Sequence, residues 1–243
     1  MPLVCAPLVG RTRDALLAEA ALVSAKGPDL LEWRVDFFEG LGDAVAVARL
    51  AVDIKRVAGG MPLLFTRRNA REGGEKIALS EAQVVEVYRA VCEAGGVDLV
   101  DFEMGNSTPD VVAVRDMSRA RGIGLVLSFH DFQGTPPAPA LAQKFAQAEQ
   151  MGADVAKVAV MPRSAEDVLT LLSATLQASR ALDIPVVSMA MGGLGAVSRV
   201  CGASFGSALT FAVGQSASAP GQMPIEDLSA ALAVLRKAGA GAA

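Results

Sequence analysis

Residues 124–161 read GLVLSFHDFQGTPPAPALAQKFAQAEQMGADVAKVAVM, two apolar runs on either side of an alanine-rich segment. The runs at 124–131 and 154–161 have the length of β-strands and are apolar on both faces, which is typical of parallel strands covered by helices. The segment between them, near 138–151, has the composition of a helix. The pattern therefore predicts a strand, a helical crossover and a second, parallel strand.

The same alternation recurs along the whole chain. Strands are predicted at 3–9, 29–38, 61–67, 97–103, 124–131, 154–161, 185–191 and 204–213. Helices are predicted near 12–26, 43–58, 80–95, 108–121, 138–151, 163–181, 195–201 and 225–237. Eight such units favour a closed (β/α)8 barrel, the TIM-barrel fold, over an open doubly wound sheet. We expect one α/β domain over residues 1–243, with a frayed tail at 238–243.

Local signals mark two helix starts and one long loop. Ser80 with Gln83 and Ser164 with Asp167 have the spacing of capping residues. Residues 214–224 are rich in Gly, Ser and Pro and exceed the length of a tight βα turn, so we expect a functional loop or lid.

Composition excludes several classes of function. The net charge of -4 and the small aromatic content (9 Phe, 1 Trp, 1 Tyr) argue against nucleic acid and anionic membranes as partners. Apolar runs are interrupted well before the roughly 18 residues of a membrane span. The single histidine, His130, excludes a histidine-rich metal site, and three cysteines without metal-ligand spacing indicate reduced thiols. We expect a soluble, cytoplasmic protein.

Polar residues gather where the predicted strands end, and a barrel of this type carries its active site there. Glu32, Arg34 and Asp36 alternate along the second strand, so we place them on one face, toward the barrel mouth. Asp101 and Glu103 share a face at the end of the fourth strand, which also fits a charged pair at the rim. The charged loop at 66–75, taken alone, fits a solvated turn.

His130 ends the apolar run at 125–129, where a barrel presents catalytic groups. A histidine takes up and returns protons near neutral pH, which suits general acid-base catalysis. The alternative is a structural histidine satisfied by a neighbour such as Asp131.

Lys157 lies between apolar residues of the sixth strand. A buried ammonium needs a partner, so we expect Lys157 to be either ion-paired or kept partly neutral by a lowered pKa. A neutral amine in an apolar pocket attacks carbonyls and forms a Schiff base, which withdraws electrons from the neighbouring carbon. With His130, this lysine indicates proton abstraction next to an imine, although a snorkelling or ion-paired structural lysine is the alternative.

Residues 191–199, MGGLGAVSR, follow the seventh strand and open a short helix. Their backbone amides and Arg199 are suited to hold a phosphate or carboxylate. A glycine turn alone is weak evidence for such a site, because many helices begin this way.

Six segments in this order are similar to one known family. They are EWR at 32–34, Thr66 and Arg68 followed by EGGE at 72–75, SFHDF at 128–132, KVAVMP at 157–162, MAMG at 189–192 running to SR at 198–199, and SAPGQ at 218–222. From first strand to last helix the chain resembles type I 3-dehydroquinate dehydratase. That family is a (β/α)8 barrel, commonly a homodimer, which dehydrates 3-dehydroquinate to 3-dehydroshikimate in the shikimate pathway without metal or organic cofactor. The extra Arg67 and the loop at 132–137 depart from the family pattern and affect only local loop shape.

The resemblance implies three catalytic residues. Lys157 would form the imine with the substrate ketone, and His130 would remove the neighbouring carbon proton and return it to the departing hydroxyl. Glu72 would be the carboxylate that orients His130. This role contradicts the solvated-turn interpretation of its loop.

The resemblance also implies a set of substrate-binding residues. Arg199 would clamp the substrate carboxylate, and the lid would close through Ser218 and Gln222. Glu32, Arg34 and Arg68 would bind hydroxyls and the carboxylate end, whereas the role of Asp101 is not fixed.

The residue pattern also fits two other functions. One is a class I Schiff-base aldolase acting on a sugar phosphate, with residues 192–195 as its phosphate site. The other is a non-catalytic barrel that binds a shikimate-type metabolite. A biosynthetic role and a role in quinate breakdown are not distinguished.

Overall fold

The computed structural model describes residues 1–240 and contains strands that alternate with helices. The strands are β1 Leu3–Leu8, β2 Leu30–Arg34, β3 Leu63–Thr66, β4 Leu99–Glu103, β5 Gly124–Asp131, β6 Val155–Val160, β7 Val186–Ala190, β8 Leu209–Val213 and the short β9 Met223–Pro224. The helices are α1 Arg13–Ser24, α2 Ala44–Val57, α3 Glu81–Ala94, α4 Thr108–Arg119, α5 Ala138–Gln150, α6 Ala165–Ala181, α7 Gly192–Cys201 and α8 Ile225–Ala240.

The first eight strands form a parallel barrel. Each strand from β1 to β6 pairs with the next one in sequence, and β1 also pairs with β8. The circle closes between β7 and β8, where Val186 bridges Ser207 and accepts a hydrogen bond from the Ala208 N–H at 2.8 Å. The predicted (β/α)8 barrel is confirmed.

The strands are buried on both faces, as their apolar runs predicted. The larger core packs the outward faces of the strands against the helices and includes Trp33, Phe65 and Tyr88. A smaller cluster that includes Cys5, Leu64 and Val187 belongs to the inward faces. The helices present polar residues to solvent, and within residues 1–240 none is long and apolar enough to cross a membrane.

The inward-facing positions change from apolar to polar toward the carboxyl ends of the strands. Successive inward positions two residues apart show the change. They read Leu30, Glu32, Arg34 on β2; Leu64, Thr66 on β3; Leu99, Asp101, Glu103 on β4; and Val126, Ser128, His130 on β5. On β6 the one polar inward position, Lys157, lies between Val155 and Ala159. The carboxyl end of the barrel, called the upper end below, therefore collects the polar groups.

Several predicted boundaries were wrong. The second strand stops at Arg34, and Val35–Phe37 form a 3₁₀ turn, so Asp36 reaches the barrel mouth from a turn and not from strand alternation. The eighth strand begins at Leu209, five residues later than predicted, because Gly202–Phe205 form another 3₁₀ turn. Of the predicted frayed tail, residues 238–240 belong to α8 and residues 241–243 lie outside the described residues.

The two predicted helix caps had different outcomes. Ser80 and Gln83 form a reciprocal capping box at the start of α3. Ser164 precedes α6 without a side-chain capping bond, and Asp167 accepts from the backbone N–H of Arg163 at 2.7 Å. Spacing alone therefore predicted the helix start correctly but not the bond that stabilises it.

Candidate active site

A pocket that encloses about 440 Å³, including space open to solvent, lies at the upper end of the barrel. All nine side chains that the sequence singled out for catalysis or substrate binding line it: Glu32, Arg34, Arg68, Glu72, His130, Lys157, Arg199, Ser218 and Gln222. They come from strands β2, β5 and β6, the loop after β3, helix α7 and the loop at 214–224. Residues up to 190 positions apart in sequence thus meet in one cavity.

Lys157 is buried and ion-paired. Its Nζ donates to Asp101 Oδ2 at 2.9 Å and lies 3.7 Å from Glu32 Oε1. It also sits 4.6 Å from the centre of the Phe211 ring, which closes one side of its surroundings. Of the two predicted states, the structure contains the paired lysine.

Asp101 is the centre of the charge network beneath the pocket. Its side chain is fully buried, and its Oδ1 accepts from Arg68 Nη2 at 2.8 Å and from Ser128 Oγ at 2.6 Å. Burial opposes ionisation, but the positive charges of Arg68 and Lys157 outweigh it and hold the pKa of Asp101 below its usual range. Asp101 therefore stays negative beside the lysine.

Arg68 is held rigidly by the same network. Its Nη1 donates to Glu103 Oε1 at 3.0 Å and to Ser128 Oγ at 2.8 Å. Burial disfavours the guanidinium, yet the carboxylates of Asp101 and Glu103 raise its pKa above the usual value. Most of its donors are thus taken by protein groups.

His130 and Glu72 form a hydrogen-bonded pair. Glu72 Oε2 lies 2.9 Å from His130 Nδ1 and also accepts from the His130 backbone N–H at 3.0 Å. The contact leaves Nε2 as the ring nitrogen that is free of Glu72. The Glu72 loop is therefore not a mere solvated turn.

Burial favours the neutral form of both partners. Burial of the imidazole, then the charges of Arg68 and Lys157, lower the pKa of His130 well below its usual value. Burial and the carboxylate of Glu103 raise the pKa of Glu72 to about 7, although Arg68 opposes this. His130 is consequently a neutral base near pH 7.

Arg199 is a buried cation without a carboxylate partner among residues 1–240. Its guanidinium donates to the carbonyl oxygens of Phe211 at 3.5 Å and Pro220 at 3.1 Å, and its Nε has no hydrogen-bond partner in the described structure. Burial lowers the pKa of Arg199 to about 10. An uncompensated guanidinium facing a pocket favours an anionic ligand.

Arg34 differs from Arg199 because it is already paired. Its Nε and Nη2 donate to the two oxygens of Asp36 at 2.9 and 2.8 Å, and its Nη1 donates to the Ser218 carbonyl at 3.2 Å. Glu32 accepts from Thr66 Oγ1 at 2.9 Å, which fixes its carboxylate near Lys157. Arg34 therefore offers hydrogen bonds, whereas Arg199 offers uncompensated charge.

The loop at 214–224 lies across the pocket. Ser218 and Gln222 bond each other, through Ser218 N–H to Gln222 Oε1 at 2.9 Å and Gln222 Nε2 to Ser218 Oγ at 3.2 Å. The Pro220 carbonyl accepts from the Gly192 N–H at 3.2 Å. The first amide of α7, a candidate for anion binding in the sequence, is thus bonded to the loop.

Sequence reasoning missed several residues of the pocket. Phe211 packs against the lysine, and the buried Met189 and Met191 also line the cavity. Phe211 lies in the middle of β8, Met189 near the end of β7 and Met191 just beyond it, and apolar side chains at these positions resemble ordinary core residues. Asp101, whose role the sequence left open, contacts Lys157 directly.

Comparison with known proteins gives consistent results. The profile of the type I 3-dehydroquinase family matches residues 4–238. The 3-dehydroquinate dehydratase of Albidiferax ferrireducens is 58% identical over 238 residues, which are 98% of this chain and 90% of that protein. The crystal structure of 3-dehydroquinate dehydratase from Geobacillus kaustophilus has a TM-score of 0.96 at 49% identity, covering 98% of this chain and 92% of that chain.

A second crystal structure extends the comparison to lower identity. It is a type I 3-dehydroquinate dehydratase from Clostridium difficile with covalently modified comenic acid, 35% identical, with a TM-score of 0.94 over 98% of this chain and 93% of that one. The match covers the whole barrel in both sequence and structure. The chain belongs to the type I 3-dehydroquinase family.

Proposed function

We propose that this chain dehydrates 3-dehydroquinate to 3-dehydroshikimate, a step of the shikimate pathway, through a Schiff base on Lys157. The observation that carries the proposal is the placement of a buried lysine and a histidine on adjacent strands of one pocket. Ser128 lies beside Lys157 in the register of β5 and β6, so His130 stands one inward position above the lysine. A base is thereby available next to a carbonyl that the lysine has attacked.

Imine formation begins at Lys157. The ammonium gives its proton to the neutral His130, and the free amine attacks the ketone carbon. The adduct takes that proton back on its oxygen and loses water, which leaves a protonated imine. Asp101 pairs with the ammonium at the start and with the equally charged imine afterwards, so its negative charge is useful at both stages.

Elimination then uses His130 twice. Its Nε2 removes a proton from the carbon next to the imine, and the electron pair forms an enamine. The same nitrogen gives the proton to the hydroxyl on the following carbon, the C–O bond breaks and water leaves. Water finally hydrolyses the imine, releasing the product and restoring Lys157; Glu72 orients the imidazole through Nδ1 throughout.

The arginines divide the recognition of the substrate. Arg199, which has no acidic partner in the described structure, receives the substrate carboxylate. Arg34 and Glu32 hold the hydroxyl groups of the substrate by hydrogen bonds. Arg68 keeps Asp101 in place and also binds the carboxylate end of the substrate. Ser218 and Gln222 close the loop over the bound molecule.

The assembly and setting are part of the proposal. The family resemblance supports a single-domain homodimer in the cytoplasm that works without metal or organic cofactor. Light scattering at micromolar concentration would test the dimer. A monomeric mass would contradict that part and leave the chemistry untouched.

The direct test is trapping of the imine. We expect borohydride in the presence of 3-dehydroquinate to leave a reduced adduct on Lys157, located by mass spectrometry of the digest. Lys157→Ala should abolish both the adduct and turnover. Lys55→Ala is the control, because Lys55 is also ion-paired, to Asp98 at 2.7 Å, but lies at the opposite end of the barrel. Labelling of another lysine, or turnover by Lys157→Ala, would contradict the mechanism.

A further inference from the structure

Asp36 is a fully buried carboxylate that the mechanism above does not use. It accepts hydrogen bonds from four donors: Arg34 Nε at 2.9 Å, Arg34 Nη2 at 2.8 Å, the Arg68 N–H at 3.3 Å and the Glu75 N–H at 3.0 Å. Both oxygens are thus occupied by protein donors. A carboxylate buried to this degree is stable because its charge and lone pairs are satisfied.

The first consequence concerns Arg34. The two-pronged contact with Asp36 fixes the guanidinium plane, and Nη1 is the edge that reaches the Ser218 carbonyl of the loop at 214–224. The Phe37 ring lies 5.1 Å from the guanidinium carbon and supports the same orientation. The direction of Arg34 toward both the pocket and the loop therefore depends on Asp36.

The second consequence concerns the segment that carries Glu72. Asp36 binds the backbone of Arg68 at one end of this segment and of Glu75 at the other. The segment is tight between these points, because a Cβ on Gly74 would lie 2.0 Å from the Arg68 carbonyl oxygen. One carboxylate thus joins the end of β2, the loop after β3 and, through Arg34, the loop across the pocket.

We propose that Asp36 is a positioning residue for substrate recognition, which holds Arg34 against the loop at 214–224 and fixes the segment that presents Glu72. It touches no reacting atom: it acts on substrate binding through Arg34 and on the position of Glu72 through the backbone of Arg68 and Glu75. The inference rests on the proposed function, since its readout is the Michaelis constant for 3-dehydroquinate. It predicts an effect on substrate binding that depends on the presence of Arg34.

The test is a double-mutant cycle on Asp36 and Arg34. Asp36→Asn places an amide where Arg34 needs an acceptor, so we expect KM to rise by about tenfold or more, the effect of losing one charge-assisted hydrogen bond, with a smaller fall in kcat. In the Arg34→Ala background the same substitution should change KM by less than about twofold, because no guanidinium is left to position, whereas the fall in kcat that comes from the Glu72 segment should persist.

Asp98→Asn is the matched control. Asp98 likewise accepts from a cation, Lys55, and from a backbone N–H, that of Leu63 at 2.8 Å, but at the other end of the barrel. Asp98→Asn should lower the melting temperature and leave KM unchanged. Asp36→Glu serves as the second variant, since it retains the charge but displaces the carboxylate, and it should raise KM as well.

Each contrary outcome is decisive. A wild-type KM in Asp36→Asn or Asp36→Glu, or an equal rise of KM with and without Arg34, would overturn the positioning role. Failure of both Asp36 variants to fold would show that Asp36 stabilises the fold, and this result would also overturn the positioning role. Absence of dehydratase activity in the wild-type chain would instead contradict the proposed function.

Discussion

The two ends of the barrel both carry aspartates but use them differently. At the amino ends of the strands, called the lower end here, three aspartates each precede an even-numbered strand and accept from a backbone N–H of the preceding strand. The pairs are Asp29 with Val4 at 2.7 Å, Asp98 with Leu63 at 2.8 Å and Asp154 with Leu125 at 2.7 Å. These side chains belong to exposed or half-buried residues, so water completes their solvation.

At the upper end, Asp36 and Asp101 are fully buried. Each needs arginine or lysine partners together with further hydrogen bonds, because water does not solvate it. The lower carboxylates fasten one strand to the next, whereas the upper ones fix the positions of groups that meet the ligand. The same residue type therefore stabilises the fold at one end and orders the site at the other, and burial separates the two uses.

Apart from the loss of Lys157, substitution of His130 should produce the largest difference in kcat between a change at the upper end and a change at the lower end. We expect His130→Ala to lower kcat by about two to four orders of magnitude, the usual contribution of general acid-base catalysis, while some imine still forms. Steady-state kinetics and borohydride trapping would measure both. Asp131→Ala, at the adjacent position, is the control. Near-wild-type turnover in His130→Ala would show that the upper end does not act through this residue.

The pH profile tests whether burial keeps His130 neutral. His130 acts as a base only without its second proton, and burial with the nearby charges of Arg68 and Lys157 lowers its pKa. Glu72 itself has a pKa raised to about 7 and would add its own limb, so the test uses Glu72→Gln: kcat/KM of this variant should stay level as the pH falls through 6.5 and drop about tenfold per pH unit only below the shifted pKa of His130. Asp98→Asn in the same background should have the same acid limb. A limb centred at or above pH 6.5 would contradict the lowered pKa.

The loop across the pocket should affect binding more than chemistry. Ser218→Ala and Gln222→Ala each remove part of the mutual hydrogen bonding that shapes the loop, so we expect KM to rise by roughly tenfold with kcat changed less. Ser216→Ala, in the same loop but away from the pocket lining, is the control. Unchanged Michaelis constants would argue against a lid.

The sequence predicted the barrel because the signal for it is local. Apolar runs buried on both faces and the spacing of helices between them gave eight units, and Lys157 and His130 stood out because a charge or an imidazole interrupts such a run. The errors lay where hydrogen bonds with distant partners end a strand. Asp36 sits in a 3₁₀ turn that its bonds to Arg34, Arg68 and Glu75 stabilise, and period-two alternation does not describe it.

The residue pattern alone did not predict the contacts between the side chains of the site. Glu72 meets His130 across 58 positions, and only the family resemblance indicated that pair. The long loop was expected from its composition, but its docking depends on close approach: Gly221 has φ +77°, and a Cβ there would lie 2.3 Å from the Gly192 carbonyl oxygen. That Arg199 has no acidic partner within residues 1–240 is likewise a property of the folded chain, which the residue pattern does not show.

The smallest effect is expected at the lower end. Asp154→Ala removes the acceptor for the Leu125 N–H at 2.7 Å, one hydrogen bond at the start of β5. Its loss should cost about 1 kcal/mol of unfolding free energy, which lowers the melting temperature by roughly 2–4 °C in a chain of this size. Differential scanning calorimetry would measure the shift, and KM and kcat should match the wild type because β5 keeps its pairing with β4 up to Ser128 and with β6 up to Asp131. A change of KM comparable to that of Ser218→Ala would mean that the two ends are coupled through the strands, and the division between a stabilising end and a recognising end would then fail.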